Sequence, residues 1–322
     1  MSLWSRPNLC GLLVAAAATA ATPAAAQMEL KIVAPAAPGG GWDQTARSMQ
    51  QAMVASGAAK SAQVTNIPGA GGTVGLAQFV NTAKGDGNTL MVNGFVMVGA
   101  ILTNKSPVSL DQVTPIAKLT EEVQIIVVPT NSPIKTAKDL AEAVKKDVSK
   151  VTFAGGSAGG VDHIMAALFV GASGAEAAKV NYVPFSGGGE SLAAIIGGKV
   201  TAGISGYAEY EGQIKSGRLR AIGITSAARI PGIDVPTFKE QSIDLVITNW
   251  RSVVAAPGIT AAQKKALEEA VEKMVKSPAW KDVLKQKGWD DAYVPGDAFT
   301  KFLKEEQVRV RKVLSEVGLV KS

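Results

Sequence analysis

Short apolar runs alternate along the chain with segments at helical spacing, and glycine-rich stretches divide the two. Residues 30–34 form an apolar run stopped by Pro35, Pro38 and three glycines, which predicts a strand. Ala46, Met49, Ala52 and Met53 then recur at helical spacing across residues 43–54. Residues 64–67 predict a second strand, closed by Pro68-Gly69-Ala70-Gly71-Gly72, and a helix opening near Thr73 carries Leu76, Phe79 and Val80. A turn at Gly85-Asp86-Gly87 leads to a strand at 90–92. Strand, glycine-rich loop, helix is the rhythm of a parallel or mixed sheet.

The middle of the chain repeats it. Residues 123–128 read as a buried strand ended by Pro129, and Thr136 with Asp139 fits a capping box before Leu140, Ala143 and Val144. A strand at 151–154 feeds Gly155-Gly156-Ser157-Ala158-Gly159-Gly160 and a helix through Ile164, Ala167 and Leu168. A strand at 181–183 feeds a loop over 184–190 and a helix bearing Leu192, Ile195 and Ile196. Further strands are expected at 200–204, 219–225 and 253–255. Thr260 with Gln263 repeats the capping pattern before Leu267, Val271, Met274 and Val275, and 297–317 is amphipathic. These last helices suit a cover on an existing domain. No fixed period recurs, which argues against a solenoid.

Composition narrows the class. The chain has 322 residues, a length suited to two domains, with 47% apolar and 5% aromatic residues. That argues against disorder and against a nucleic-acid stacking surface. The first 26 residues read as a secretory signal peptide: Arg6, an apolar run over 9–21, and Ala24-Ala25-Ala26 before Gln27. Cys10 would leave with it, so the exported protein has no thiol chemistry and fits the periplasm. Removing Arg6 takes the 33 basic residues to 32 against 27 acidic ones, a mature charge of +5. The charges are scattered, with no patch for nucleic acid or membrane, and the surplus favours a small anionic ligand.

Four glycine-rich loops stand between a strand and a helix, at 38–42, 68–72, 155–160 and 186–189. Glycine lets backbone approach a ligand closely, and the helix that follows offers unpaired N–H groups and the positive end of its dipole. Two such loops from each half would hold two ends of a small polyanion; the alternative is that they only make tight turns. None matches a dinucleotide or phosphate-loop motif. Gly155-Gly156-Ser157-Ala158-Gly159 matches Gly-x-Ser-x-Gly, but the sole histidine, His163, follows six residues later and is badly placed as a base. Ser157 is therefore expected to cap a helix or to donate to a ligand. His163 either ties two loops together or reaches a carboxylate, and with no second histidine it anchors no metal. Asp43 balances a helix dipole or fixes water or a ligand hydroxyl. Arg251 either grips a carboxylate as a five-donor fork or packs its stem on Trp250, and Tyr207 either lines a site or packs.

The sequence resembles the TctC family, also called Bug proteins, the periplasmic solute-binding proteins of tripartite tricarboxylate transporters. Pro-Gly-Gly-Gly-Trp-Asp at 38–43 and Asn66-Ile67-Pro68-Gly69-Ala70-Gly71-Gly72 carry the likeness, with 185–190, 231–240 and 249–257. The resemblance implies an α/β, type II periplasmic binding fold of two domains, 27–125 plus 250–322 and 126–249, with a ligand cleft between them. It implies a non-enzymatic, monomeric carrier without cofactor that delivers a citrate-like tricarboxylate to membrane permease subunits. Alternatives are a dicarboxylate, an aromatic carboxylate or an acidic amino acid as cargo, or a ligand-reporting sensor module. Carried over by motif, the ligand contacts are Ala37, Gly39, Gly40, Gly41 and Asp43, then Gly69, Ala70, Gly71, Gly72 and Thr73. The opposite domain offers Ser157, Gly159 and His163, then Ser186, Gly187 and Gly188, and finally Ser205, Gly206 and Tyr207. Arg251 resembles the branch associated with tricarboxylates.

Overall fold

The computed structural model describes Met1 and residues 28–185 and 188–321. Apart from Met1 the expected signal peptide lies outside these, as do Ser186 and Gly187. Strand β1 (Glu29–Ala34) pairs in parallel with β2 (Ser61–Asn66) and β3 (Thr89–Gly94). Helices α1 (Gly41–Ala55) and α2 (Thr73–Thr82) make the crossovers, and α3 (Phe95–Thr103) leaves β3. The 16-residue strand β4 (Thr114–Pro129) then runs through the whole molecule.

Beyond β4 the order is α4 (Ala137–Lys146), β5 (Thr152–Gly155), α5 (Val161–Ala172), β6 (Asn181–Pro184) and α6 (Gly188–Ile196), followed by β7 (Ala202–Gly206), α7 (Tyr207–Lys215) and β8 (Leu219–Ile224). The chain returns along β9 (Thr248–Ala255) and finishes with α8 (Ala261–Val275), α9 (Pro278–Lys287), β10 (Asp290–Pro295) and α10 (Gly296–Glu316). The sheet order is β2-β1-β3-β9-β4-β7-β5-β6, with β8 and β10 also on β4.

Strand β4 joins two sheet halves because it changes partners midway. Residues up to Val123 pair antiparallel with β9, and β10 takes the other edge. From Gln124 onward β4 pairs antiparallel with β7 and, on its other edge, from Ile125 with β8. In the second half β5 lies parallel between β6 and β7. The strand alternates sides, so Glu122, Gln124, Asn249 and Arg251 share one face while Glu121 and Trp250 take the other. That second face receives α10: Trp250 donates its indole N–H to Glu306 at 2.7 Å and its ring meets Phe302 edge-on at 5.3 Å. The terminal helix is thus a cover for the first half, as its amphipathic pattern predicts.

Both predicted capping boxes form, with Thr136 and Asp139 opening α4 and Thr260 and Gln263 opening α8. The extended strands differ from expectation. β4 starts at Thr114, nine residues before its apolar run, because Lys118 and Glu121 pair with each other and let this polar stretch lie inside a sheet. Helix α3 has no polar stripe to mark it, since Phe95, Met97, Val98, Gly99 and Ala100 are all buried. Among the described residues no helix is long and apolar enough to cross a membrane.

Candidate functional site

A cavity of about 110 Å³ lies where the two sheet halves face each other. Four helices turn their N-termini to it, and each starts from a glycine with no side-chain cap: Gly40 before α1, Gly72 before α2, Gly160 before α5 and Gly206 before α7. Helices α4, α8 and α9 start instead from Thr136, Thr260 and Ser277, whose hydroxyls cap the first turn. A helix start leaves several N–H groups without an intrahelical partner. Around the cavity the positive ends of four dipoles face a ligand, with those N–H groups that no turn has taken (at α2 the Thr73 N–H already donates to the Ala70 carbonyl), the arrangement that favours an anion.

Two glycines are fixed by space. A Cβ on Gly41 would lie 2.5 Å from the Arg251 guanidinium, and one on Gly206 would lie 2.6 Å from the Glu122 carboxylate. Both close approaches pack helix starts against a buried charge pair.

That pair sits behind the cavity. Arg251 and Glu122 form an ion pair with 3% and 4% of their side chains exposed, and Arg251 lies over the Trp289 ring at 4.9 Å. Glu122 also accepts from Asn249 at 3.1 Å and from the Trp289 indole at 3.0 Å. Burial raises the Glu122 pKa; Arg251 opposes this and Glu209 adds to it. Glu209, in the first turn of α7, stands 3.6 Å from the same guanidinium and accepts from the Ser205 hydroxyl at 3.0 Å. Arg251 is therefore engaged by two carboxylates. Asp162, in the first turn of α5, accepts the Gly156 N–H at 2.7 Å; burial, with the Glu209 and Glu122 charges, pushes its pKa up to about 7.

Of the residues expected to bind, Gly40, Gly41, Gly69, Ala70, Gly71, Gly72, Ser157, Ser205, Gly206 and Arg251 line the cavity. Ala37 and Gly39 stand behind it: the Ala37 carbonyl accepts from Gly40 at 3.1 Å, and the Gly39 N–H donates to Asp43 at 2.8 Å. Asp43 is outside the lining and joins three segments, accepting also from Arg47 at 3.0 Å and Asn66 at 2.8 Å. Burial works to raise its carboxyl, but the hydrogen bonds from Arg47, Gly39 and Asn66 outweigh that and hold its pKa below the usual range. The Thr73 hydroxyl turns to the Ala70 carbonyl at 2.9 Å. Tyr207 packs on the core of the second half, Gly188 opens α6, and Ser186 and Gly187 lie outside the described residues.

His163 takes the loop-tying role. Its Nδ1 accepts the Gly159 N–H at 3.1 Å and its ring stacks on Tyr182 with centroids 4.3 Å apart. Burial lowers its pKa to about 4, so the ring is neutral. The nitrogen nearest the loop is thus held by backbone, and Ser157 faces the cavity from the turn before α5 without that nitrogen as a base.

Gln124, Asp162, Glu209 and Asn249 line the cavity as well, and were not singled out as ligand contacts. Period-two alternation through Glu122-Val123-Gln124-Ile125 was the available signal, since it sets two polar side chains on one face of an otherwise apolar strand.

Comparison with known proteins gives the lineage. The family model described as the tripartite tricarboxylate transporter family receptor, TctC, matches residues 45–319. The UPF0065 protein in the TAR-I ttuE-ttuC' intergenic region of Agrobacterium vitis is 30% identical over 295 residues, covering 89% of this chain and 84% of its own. The periplasmic binding protein BugD superposes with a TM-score of 0.81 at 24% identity, over 92% of this chain and 99% of its own. MatC from Rhodopseudomonas palustris, solved with bound malate, gives a TM-score of 0.77 at 24% identity, over 89% of this chain and 99% of its own. The fold is that of a type II periplasmic binding protein, and the chain belongs to the TctC family of tripartite tricarboxylate transporter receptors.

Proposed function

We propose that this chain is a periplasmic carrier that closes on one small carboxylate and hands it to the permease subunits of a tripartite transporter. The observation that carries the reading is the set of four uncapped, glycine-started helices turned to one cavity. Carboxylate oxygens there would accept from backbone N–H groups of Gly40–Trp42 and Gly69–Gly72, while the starts of α5 and α7 close over the solute from the other side. The two halves, 27–125 with 250–322 and 126–249, act as jaws joined where β4 and β9 cross. Contacts from the second jaw are made only when it closes, so ligand shifts the population toward the closed form. Losing water from the cavity then strengthens each of those contacts.

The finer expectation, a tricarboxylate, leaned on Arg251 as an additional donor. With Glu122 and Glu209 already facing that guanidinium, a cargo of lower negative charge meets less repulsion. The malate held by the related MatC is in keeping with such a cargo.

Thermal melting of the ligand-free protein with citrate, aconitate, tricarballylate, succinate, malate, terephthalate and glutamate tests this. A ligand selective for the native state raises the melting temperature by mass action. We expect succinate, malate, terephthalate or glutamate to raise it more than the three tricarboxylates do. A larger rise with citrate restores the tricarboxylate reading, and no rise with any of the seven removes all seven as cargo.

A further inference from the structure

We infer that the cavity is built for a zwitterion, a carboxylate that also carries a protonated amine a few bonds away, in preference to a di- or trianion. This deepens the carboxylate reading and rests on it. Among the described lining residues Arg251 is the sole cation, while Asp162 and Glu209 both line the space and Glu122 stands directly behind. Glu122 and Glu209 engage that cation, so a second or third ligand carboxylate would enter a low-dielectric space in which the one cationic lining side chain is already engaged.

A separate observation points to a ligand at the same place. Gln124 is completely buried, lines the cavity, and has no hydrogen-bond partner for either its amide oxygen or its amide nitrogen among the described residues. Buried amides are ordinarily paired, and a solute in the cavity supplies what this one lacks: a donor for its oxygen and an acceptor for its nitrogen. A molecule with an ammonium and a carboxylate carries both.

The lining is polarised to match. The loop at Gly69–Gly72 brings a helix N-terminus and no acidic lining residue, which suits the carboxylate end, whereas Gly41 already lies beside the Glu209 carboxylate. The opposite wall brings Asp162 from α5 and Glu209 from α7, each with acceptor capacity beyond its bond to Gly156 or Ser205, which suits the ammonium end.

The test uses pairs that differ only in exchanging one carboxylate for an ammonium: glutarate against 4-aminobutyrate, and succinate against 3-aminopropanoate, with glutamate against glutamine as a third comparison. Dissociation constants are measured by calorimetry on the purified protein at neutral pH. We expect the partner of lower negative charge to bind about tenfold more tightly or better in at least one pair. Glu209→Gln should erase that preference, with Asp162→Asn as the second variant if the first does not fold. Dianions that bind as tightly in every pair overturn the inference and leave the carboxylate reading standing. A preference that survives in the variant that folds overturns it too. If neither these six solutes nor the earlier seven bind, the carboxylate reading itself fails and this inference with it.

Discussion

Glu122 and Arg251 come from the two crossing strands and meet almost entirely out of water. Glu122 pairs in register with Asn249, so the guanidinium two residues along reaches its carboxylate diagonally, on the cavity face. The pair pins the junction between the halves.

Breaking it from one side should be costly. Arg251→Ala leaves Glu122 buried and unpaired, and a loss of about 3–5 kcal/mol is expected in urea unfolding. Adding Glu122→Gln removes the stranded charge and should recover part of that loss. If the double variant is as unstable as Arg251→Ala alone, the ion pair is not what the junction depends on.

Asp162 and His163 are neighbours whose protonation pulls stability in opposite directions. Asp162 rises from 3.8 to about 7 on folding, so the native state holds a proton that the unfolded state releases; its contribution is full at low pH and is lost as pH rises toward 7. His163 falls from 6.5 to about 4, so the unfolded state holds the extra proton; its contribution is lost as pH falls from 6.5 to 4. Each is on the order of 3 kcal/mol, and over pH 4–6.5 they offset each other. Relative to the wild type, Asp162→Asn should make melting temperature climb more steeply with pH, and His163→Gln should make it fall. Parallel profiles for all three proteins would contradict both assignments.

How far the site could be read from sequence depended on what held each residue. The glycine loops were legible because Pro-Gly-Gly-Gly and Gly-Ala-Gly-Gly leave few conformations other than a turn into a helix start. Asp43 was visible as a first-turn acid, but its partner Asn66 is 23 positions away and its role emerges only when the two loops meet. Glu122 and Glu209 were harder to read: one stands beside Glu121 just ahead of the apolar run, marked only by its alternation with Gln124, and the other sits on a helix that sequence did not mark, α7. Both matter because β4 and β9 cross, a pairing between residues more than 120 positions apart. Arg251 was recognised, but its engagement by those acids was not.

The cover formed by α10 adds one buried polar bond to its apolar packing through Phe299, Leu303, Val310 and Leu314. Glu306 accepts the Trp250 indole N–H and two contacts from Arg309 on its own helix. Glu306→Ala strands the indole N–H and should cost about 1–3 kcal/mol. Glu306→Gln keeps an acceptor and should cost less. Denaturant unfolding followed by tryptophan fluorescence reports both, and equal losses would assign the effect to packing.

The two halves also touch beside the cavity, where Gly99 of α3 lies under the loop that leads into α5. A Cβ at Gly99 would stand 1.9 Å from the Gly159 carbonyl oxygen, and Thr103 one turn on donates to the Ala158 carbonyl at 3.3 Å. Gly159 cannot give way easily, since its φ of +76° belongs to the left-handed region and its N–H is held by His163. Gly99→Ala therefore opposes this approach of the halves. Within α3 itself alanine is the better helix former, by about 0.5–1 kcal/mol. The ligand-free variant should melt at or above the wild-type temperature, while the solute that binds best to the wild type binds at least about tenfold more weakly. Stability and affinity moving together would mean that the substitution damages the fold. An unchanged affinity would mean that Gly99 and Gly159 do not meet when ligand is bound.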